Sequence, residues 1–205
     1  MTFGEYDDVA AGGDVLALVA ELGGPAVIVG NSMGAGAAAW AAAERPDLVT
    51  ALVLVGPFVR NPPSGRGAVL AFRLALMRPW GPRAWNAWYA RLYPGRAPED
   101  LAAHRARIRD SLRRPGRWDA FMATTRTTHA PVEARLGEVT APTLVVMGSA
   151  DPDFPDPAAE AAWIAGRVAA RVVMVPGSGH YPHAEYPEIV NPAMVAFLAQ
   201  VVPGA

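Results

Sequence analysis

The sequence predicts an α/β fold, a parallel sheet with flanking helices, and three observations carry that prediction. Four short apolar runs, at residues 26–29, 50–55, 143–147 and 171–175, have the length and composition of strands buried on both faces. Long helix-compatible stretches separate them in place of tight hairpin turns, which calls for crossover connections between parallel strands. Three of the four runs deliver a glycine- and serine-containing loop at their carboxyl ends, the edge where open parallel sheets collect chemistry.

Taken in order, residues 7–22 read as a helix, with Asp7 or Asp8 as its cap and Gly23-Gly24 as its stop. The run 26–29 follows as a strand, and the small-residue stretch 33–45 as the helix after it. A second strand at 50–55 leads into a segment of different texture. Residues 58–135 read as short helices broken at Pro79, Gly81-Pro82, Pro94-Gly95, Pro98 and Pro115-Gly116. The strand at 143–147 precedes a helix at 158–168, with Asp156 as N-cap and Pro157 at the first helical position. After the strand at 171–175, helix is expected beyond Pro187 in two pieces split by Asn191-Pro192. The chain thus divides into a first core part (residues 1–57), an arginine-rich helical insertion (58–135) and a second core part (136–205).

Gly30-Asn31-Ser32-Met33-Gly34 lies between the first strand and its helix. A serine there must turn sharply so that its hydroxyl clears the sheet, and glycines on either side leave space for that backbone. The helix starting at Met33 aims its N-terminal N–H groups at the same spot, so the Met33 N–H is the expected oxyanion donor. With 20 glycines in 205 residues and five serines, chance would place glycines at −2 and +2 of some serine in about 5% of such chains. Its setting, strand before and helix after, is what gives the motif weight.

A serine nucleophile needs a histidine base and a carboxylate to orient it. Of four histidines, His104 lies in a charged helical stretch and reads as solvated, and His129 stands before Pro131 among threonines. His180 follows the last strand and the loop Pro176-Gly177-Ser178-Gly179, and is preferred over His183 three residues on. After the third strand, Gly148-Ser149-Ala150-Asp151 presents the first of three aspartates. Asp151 is fixed by Pro152 and best placed, Asp153 reads as exposed, and Asp156 as the helix cap. The order Ser32, Asp151, His180 is that of the nucleophile-elbow hydrolases.

On these three motifs the chain resembles the α/β-hydrolase superfamily from the elbow to the C-terminus. The resemblance implies a helical cap in the position of residues 58–135, and acyl transfer to Ser32 with no metal or organic cofactor. The front end departs from the family. Only 31 residues precede Ser32, they contain no strand-like run before Ala26, and no His-Gly dipeptide is present to supply a second oxyanion donor. The chain therefore resembles a member lacking its N-terminal strands, as a misplaced start, a fragment or a degenerate gene would each produce. In that case the first strand is an apolar edge through which copies can associate. The alternatives to a small-molecule serine esterase are a C–C bond hydrolase acting on dienoate-type diketones, and an inactive fragment or binding protein on the same fold.

Composition bounds the remainder. No cysteine is present, so disulfides and thiolate sites are excluded. Neither a signal pattern nor an apolar run of membrane-spanning length is present, and a soluble, cytoplasmic protein is expected. All 18 basic residues are arginine. Residues 60–135 hold 15 of them against five acids, a formal +10, and the rest of the chain carries −11. This asymmetry has three readings: solvated side chains, a basic insertion docked on an acidic core, or a field that attracts an anionic substrate. Nucleic acid is not expected, because no recognised binding motif accompanies the arginines.

Overall fold

The computed structural model describes residues 5–61 and 66–201; residues 62–65 of the arginine-rich insertion lie outside the described residues. Helix α1 (Asp8–Glu21) is capped by Asp7, whose carboxylate accepts from the Ala10 N–H at 2.8 Å. It stops at a Schellman turn, where Gly23 and Gly24 donate to Ala20 and Val19 and Gly23 takes a φ of +86°. Then come β1 (Ala26–Asn31), α2 (Met33–Glu44) and β2 (Val49–Val55). Among the described residues five α-helices fill the insertion: α3 (Arg66–Ala75), α4 (Gly81–Tyr89), α5 (Leu101–Leu112), α6 (Arg117–Thr124) and α7 (Ala130–Arg135). The chain returns to the sheet with β3 (Thr143–Gly148), α8 (Pro157–Val168) and β4 (Arg171–Val175), and ends in α9 (Pro182–Glu185) and α10 (Pro187–Val201).

The four strands form one parallel sheet in the order β1-β2-β3-β4, with Val29 opposite Val53, Val53 opposite Leu144 and Val146 opposite Val173. A sheet that grows in one direction by right-handed crossovers places its connecting helices on one face. Accordingly Leu52, Leu54, Val145 and Met147 pack against α2 and α8, through Ala35, Ala38, Ala42, Ala161 and Ile164. The alanine-rich face of α2 lets that helix lie close to the strands. Ala51, Val53, Leu144 and Val146 point the other way and are covered by Val190 and Phe197 of α10. Burial on both faces is why β2 and β3 read as unbroken apolar runs.

One expectation changes at the C-terminal end of the chain. Pro192 does not split the last helix, which runs unbroken from Pro187 to Val201. Val190 and Phe197, on either side of the proline, dock in one apolar cluster, and that burial outweighs the lost backbone hydrogen bond. Among the described residues β1 is a sheet edge, and Val29 on it is 54% exposed, with Leu18 of α1 and Leu22 just after it also exposed. Among the described residues no helix is long and apolar enough to cross a membrane.

Candidate active site

Ser32 stands between β1 and α2 with φ 57° and ψ −127°, a conformation costly for any residue but glycine, by about 1–3 kcal/mol. Its backbone is pinned on both sides: the N–H donates to Val55 O (3.0 Å), and its carbonyl accepts from Ala35 (3.0 Å) and Phe58 (3.2 Å). A serine preceding a helix commonly caps it, but the Ser32 side chain makes no cap bond, which leaves its hydroxyl unengaged among the described residues. The flanking glycines are not equivalent. A Cβ at Gly30 would lie 2.4 Å from Gly34 O and 2.6 Å from Ala35 Cα, whereas one at Gly34 would meet nothing within 4 Å. Close helix–strand approach demands glycine only at the first position. The N–H of Met33, at the amino end of α2, has no hydrogen-bond acceptor among the described residues.

The loop after β4 brings His180 to the same edge. Its Nδ1 lies 2.8 Å from Asp151 Oδ2, and both side chains are almost wholly buried. The second oxygen of Asp151 accepts from the Asp153 N–H at 3.0 Å, so the carboxylate has one oxygen for the ring and one for its own turn. Burial alone would lower the His180 pKa; the Asp151 hydrogen bond and the charges of Asp151 and Asp153 outweigh it and raise it above the usual imidazole value. The sequence reads Asp153 as exposed, but the fold leaves its side chain only 23% exposed. Its Oδ2 is 3.6 Å from His180 Nδ1, beyond hydrogen-bond range, and burial raises its pKa against the opposing pull of His180. The turn closed by the Asp153 N–H on Asp151 folds this side chain back toward the ring. Asp156 caps α8 by accepting from the Ala159 N–H at 2.9 Å.

Ser32 and His180 share no hydrogen bond among the described residues; two intermediaries join them. Asn31, directly before the serine, donates from Nδ2 to Val55 O (3.0 Å) and to His180 O (3.3 Å). Phe58, whose N–H donates to Ser32 O, holds its ring tilted at 32° with its centroid 5.6 Å from that of His180. Gly56, with φ +50°, lets β2 pass beside the imidazole, where a Cβ would sit 3.1 Å from Nδ1.

A buried carboxylate that the sequence reading passed over holds the histidine loop in shape. Glu185 is fully buried and accepts from Ser178 Oγ (2.9 Å), Gly179 N (2.6 Å) and Gly95 N (2.8 Å). The His180 N–H itself donates to Leu92 O of the insertion at 2.9 Å. An acid five residues past the candidate base, on a short proline-started helix, was the available signal.

The other histidines are also placed. His104 is not simply solvated: its Nε2 is 3.1 Å from Tyr89 Oη. His129 precedes α7, with its Nδ1 2.6 Å from Asp8 Oδ2 and its ring stacked on Phe58. His183 is exposed and edge-on to Tyr181. Ligand atoms of Asp151, Asp153 and His180 fall within 4.8 Å of one another, as a metal would require, but His180 Nδ1 is committed to Asp151. The insertion's arginines are largely paired or at the surface. Arg60 chelates Glu160, Arg96 binds Glu188 and Arg135 binds Glu44, each linking the insertion to the acidic core.

The sequence pattern of the alpha/beta hydrolase family matches residues 2–193. Solved structures share the fold. A probable hydrolytic enzyme from Pseudomonas aeruginosa is 22% identical with a TM-score of 0.74, over 97% of this chain and 71% of that one. A thermophilic esterase from Thermogutta terrifontis is 24% identical with a TM-score of 0.70, over 98% and 75%. A 2-hydroxy-6-oxo-6-phenylhexa-2,4-dienoate hydrolase from Rhodococcus is 15% identical with a TM-score of 0.77, over 97% and 74%.

Proposed function

The chain belongs to the alpha/beta hydrolase family, and within it we propose a serine hydrolase that cleaves small-molecule esters through an acyl-enzyme. The observation that carries this reading is the buried 2.8 Å pair of Asp151 and His180, at the sheet edge that also presents a positive-φ serine with an unengaged hydroxyl. On substrate binding Ser32 Oγ closes on His180 Nε2, a contact that commonly tightens only in the Michaelis complex. His180 takes the hydroxyl proton as Oγ attacks the carbonyl, and Asp151 holds the ring tautomer and stabilises the imidazolium. The Met33 N–H donates to the oxyanion at the positive end of α2. His180 then returns the proton to the leaving alcohol, and water activated by the same ring releases the acid.

An ester is preferred over the dienoate-type C–C substrate because the insertion's arginines are spent on Glu160, Glu188 and Glu44 or stand at the surface. The test is labelling with a serine-directed phosphonate together with turnover of a chromogenic ester. Ser32→Ala is expected to abolish labelling and to cost on the order of 10⁶ in kcat. Undiminished turnover in that variant would remove Ser32 from the mechanism.

A further inference from the structure

The base has an aromatic neighbour that the proposed chemistry does not use. Tyr181 follows His180 and meets its ring edge-on, with centroids 5.2 Å apart and planes at 82°. Besides an edge-on contact with His183, it reaches the insertion, where it stacks on Tyr93 (5.0 Å, 17°) and tilts against Tyr89 (5.7 Å). The three tyrosine rings, with Leu101 and Ala184, wall a cavity of about 330 Å³ where α4 and α5 meet α9. An apolar cavity of about 150 Å³ is enough to hold benzene, so this one admits a substituted ring.

Apart from the His183 ring, whose pKa desolvation and the nearby His180 hold below the usual imidazole value, the polar groups on its wall are already engaged. Tyr89 Oη is within hydrogen-bond distance of Tyr93 Oη (3.2 Å) and His104 Nε2 (3.1 Å). Burial and the neighbouring Tyr89 push the phenols of Tyr93 and Tyr181 well above the usual tyrosine range, so they stay neutral. Asp100 contributes the wall's carboxylate and pairs with Arg107 at 3.1 Å on the outside. Among the described residues no arginine lines the cavity, although the sequence places 15 between residues 60 and 135. A ligand carboxylate would therefore meet Asp100 and no free cation, while a flat ring would meet three aromatic faces and edges.

We propose that this cavity is a subsite for a neutral aromatic group of the substrate, so that the enzyme's preferred esters carry an uncharged ring. The proposal rests on the serine hydrolase reading for its link to catalysis, but ring binding itself does not depend on it. Ligand-detected NMR titrations of the full chain carrying Ser32→Ala would compare benzyl alcohol, cyclohexylmethanol and 4-(hydroxymethyl)benzoate. Benzyl alcohol is expected to bind roughly twofold to tenfold more tightly than its saturated analogue, the range of one good ring–ring contact. It should also bind at least tenfold more tightly than the carboxylate. Leu101→Trp, and independently Ala184→Leu, fill the cavity and should remove saturable benzyl alcohol binding. Near-UV circular dichroism identifies any variant that has not folded, and the ligand series on the otherwise unchanged chain stands without them.

With Ser32 intact, benzyl acetate should exceed cyclohexylmethyl acetate in kcat/KM by the same factor. Ring-selective binding without ester turnover would sink the hydrolase reading and leave the subsite standing. Turnover without ring selectivity, equal or tighter binding of the benzoate, or undiminished binding in a folded cavity-filling variant would overturn the subsite.

Discussion

Replacing Asp151 by asparagine tests the arrangement around the base, and its effect follows from the two bonds that the carboxylate makes. Oδ1 accepts from the Asp153 N–H at 3.0 Å and Oδ2 faces His180 Nδ1 at 2.8 Å. An amide keeps its oxygen toward the Asp153 N–H, so its NH₂ group must face the imidazole. His180 Nδ1 then becomes an acceptor, the ring proton moves to Nε2, and that nitrogen can no longer take a proton from Ser32. The site is buried, so water does not restore the tautomer. The expected loss is about 10⁴ in kcat, or roughly 5.4 kcal/mol at the transition state. Asp153→Asn is the control. At 3.6 Å it makes no hydrogen bond to the ring but contributes one of the charges that raise the His180 pKa. Removing it should lower that pKa and move the acid limb of kcat/KM to lower pH, because the base works only when neutral, with kcat at the optimum held within about tenfold. The assay is a pH–rate profile of both variants on one chromogenic ester. Loss of turnover in a folded Asp153→Asn, with Asp151→Asn near wild type, would refute the reasoning.

Gly30→Ala should destabilise by at least about 1–3 kcal/mol, since the new Cβ would lie 2.4 Å from Gly34 O, whereas Gly34→Ala should leave Tm within a few degrees; thermal melts compare the two. Asp156→Ala should cost about 0.5–2 kcal/mol in denaturant titrations through the lost Ala159 cap bond, with turnover retained in the folded protein. The β1 edge should drive self-association of the 205-residue chain, and Val29→Lys should shift sedimentation toward the monomer; an unchanged profile would show that the edge is not the contact.

What was legible in the sequence tracks what is local. The strands could be read because Val53, Leu54, Val145 and Val146 are buried with their neighbours on both faces, which leaves no polar position to interrupt the run. The Asp7 and Asp156 caps, and the stop at Gly23-Gly24, were legible because their partners lie within a few residues. Asn31, Asp153, His104 and Glu185 could not be assigned, because their partners are set by packing between segments up to 149 residues apart. Pro192 misled for the same reason: a local breaker was overridden by apolar contacts that only the folded sheet supplies.

The lacing of the histidine loop to the insertion has a consequence for traffic through the enzyme. Leu92 receives the His180 N–H, Gly95 donates to Glu185, and Gly179 lies so close to Leu92 and Pro94 that a Cβ there would sit 2.3 Å from both. Residues 92–95 and the base therefore travel together, and swinging this flank aside would carry the imidazole away from the serine. A gate that leaves the base in register has to open elsewhere. Leu70, Phe72 and Leu74 of α3 are exposed, so that helix is held by fewer buried contacts than residues 92–95. On the hydrolase reading, any opening that keeps His180 in register with Ser32 leaves residues 92–95 in place.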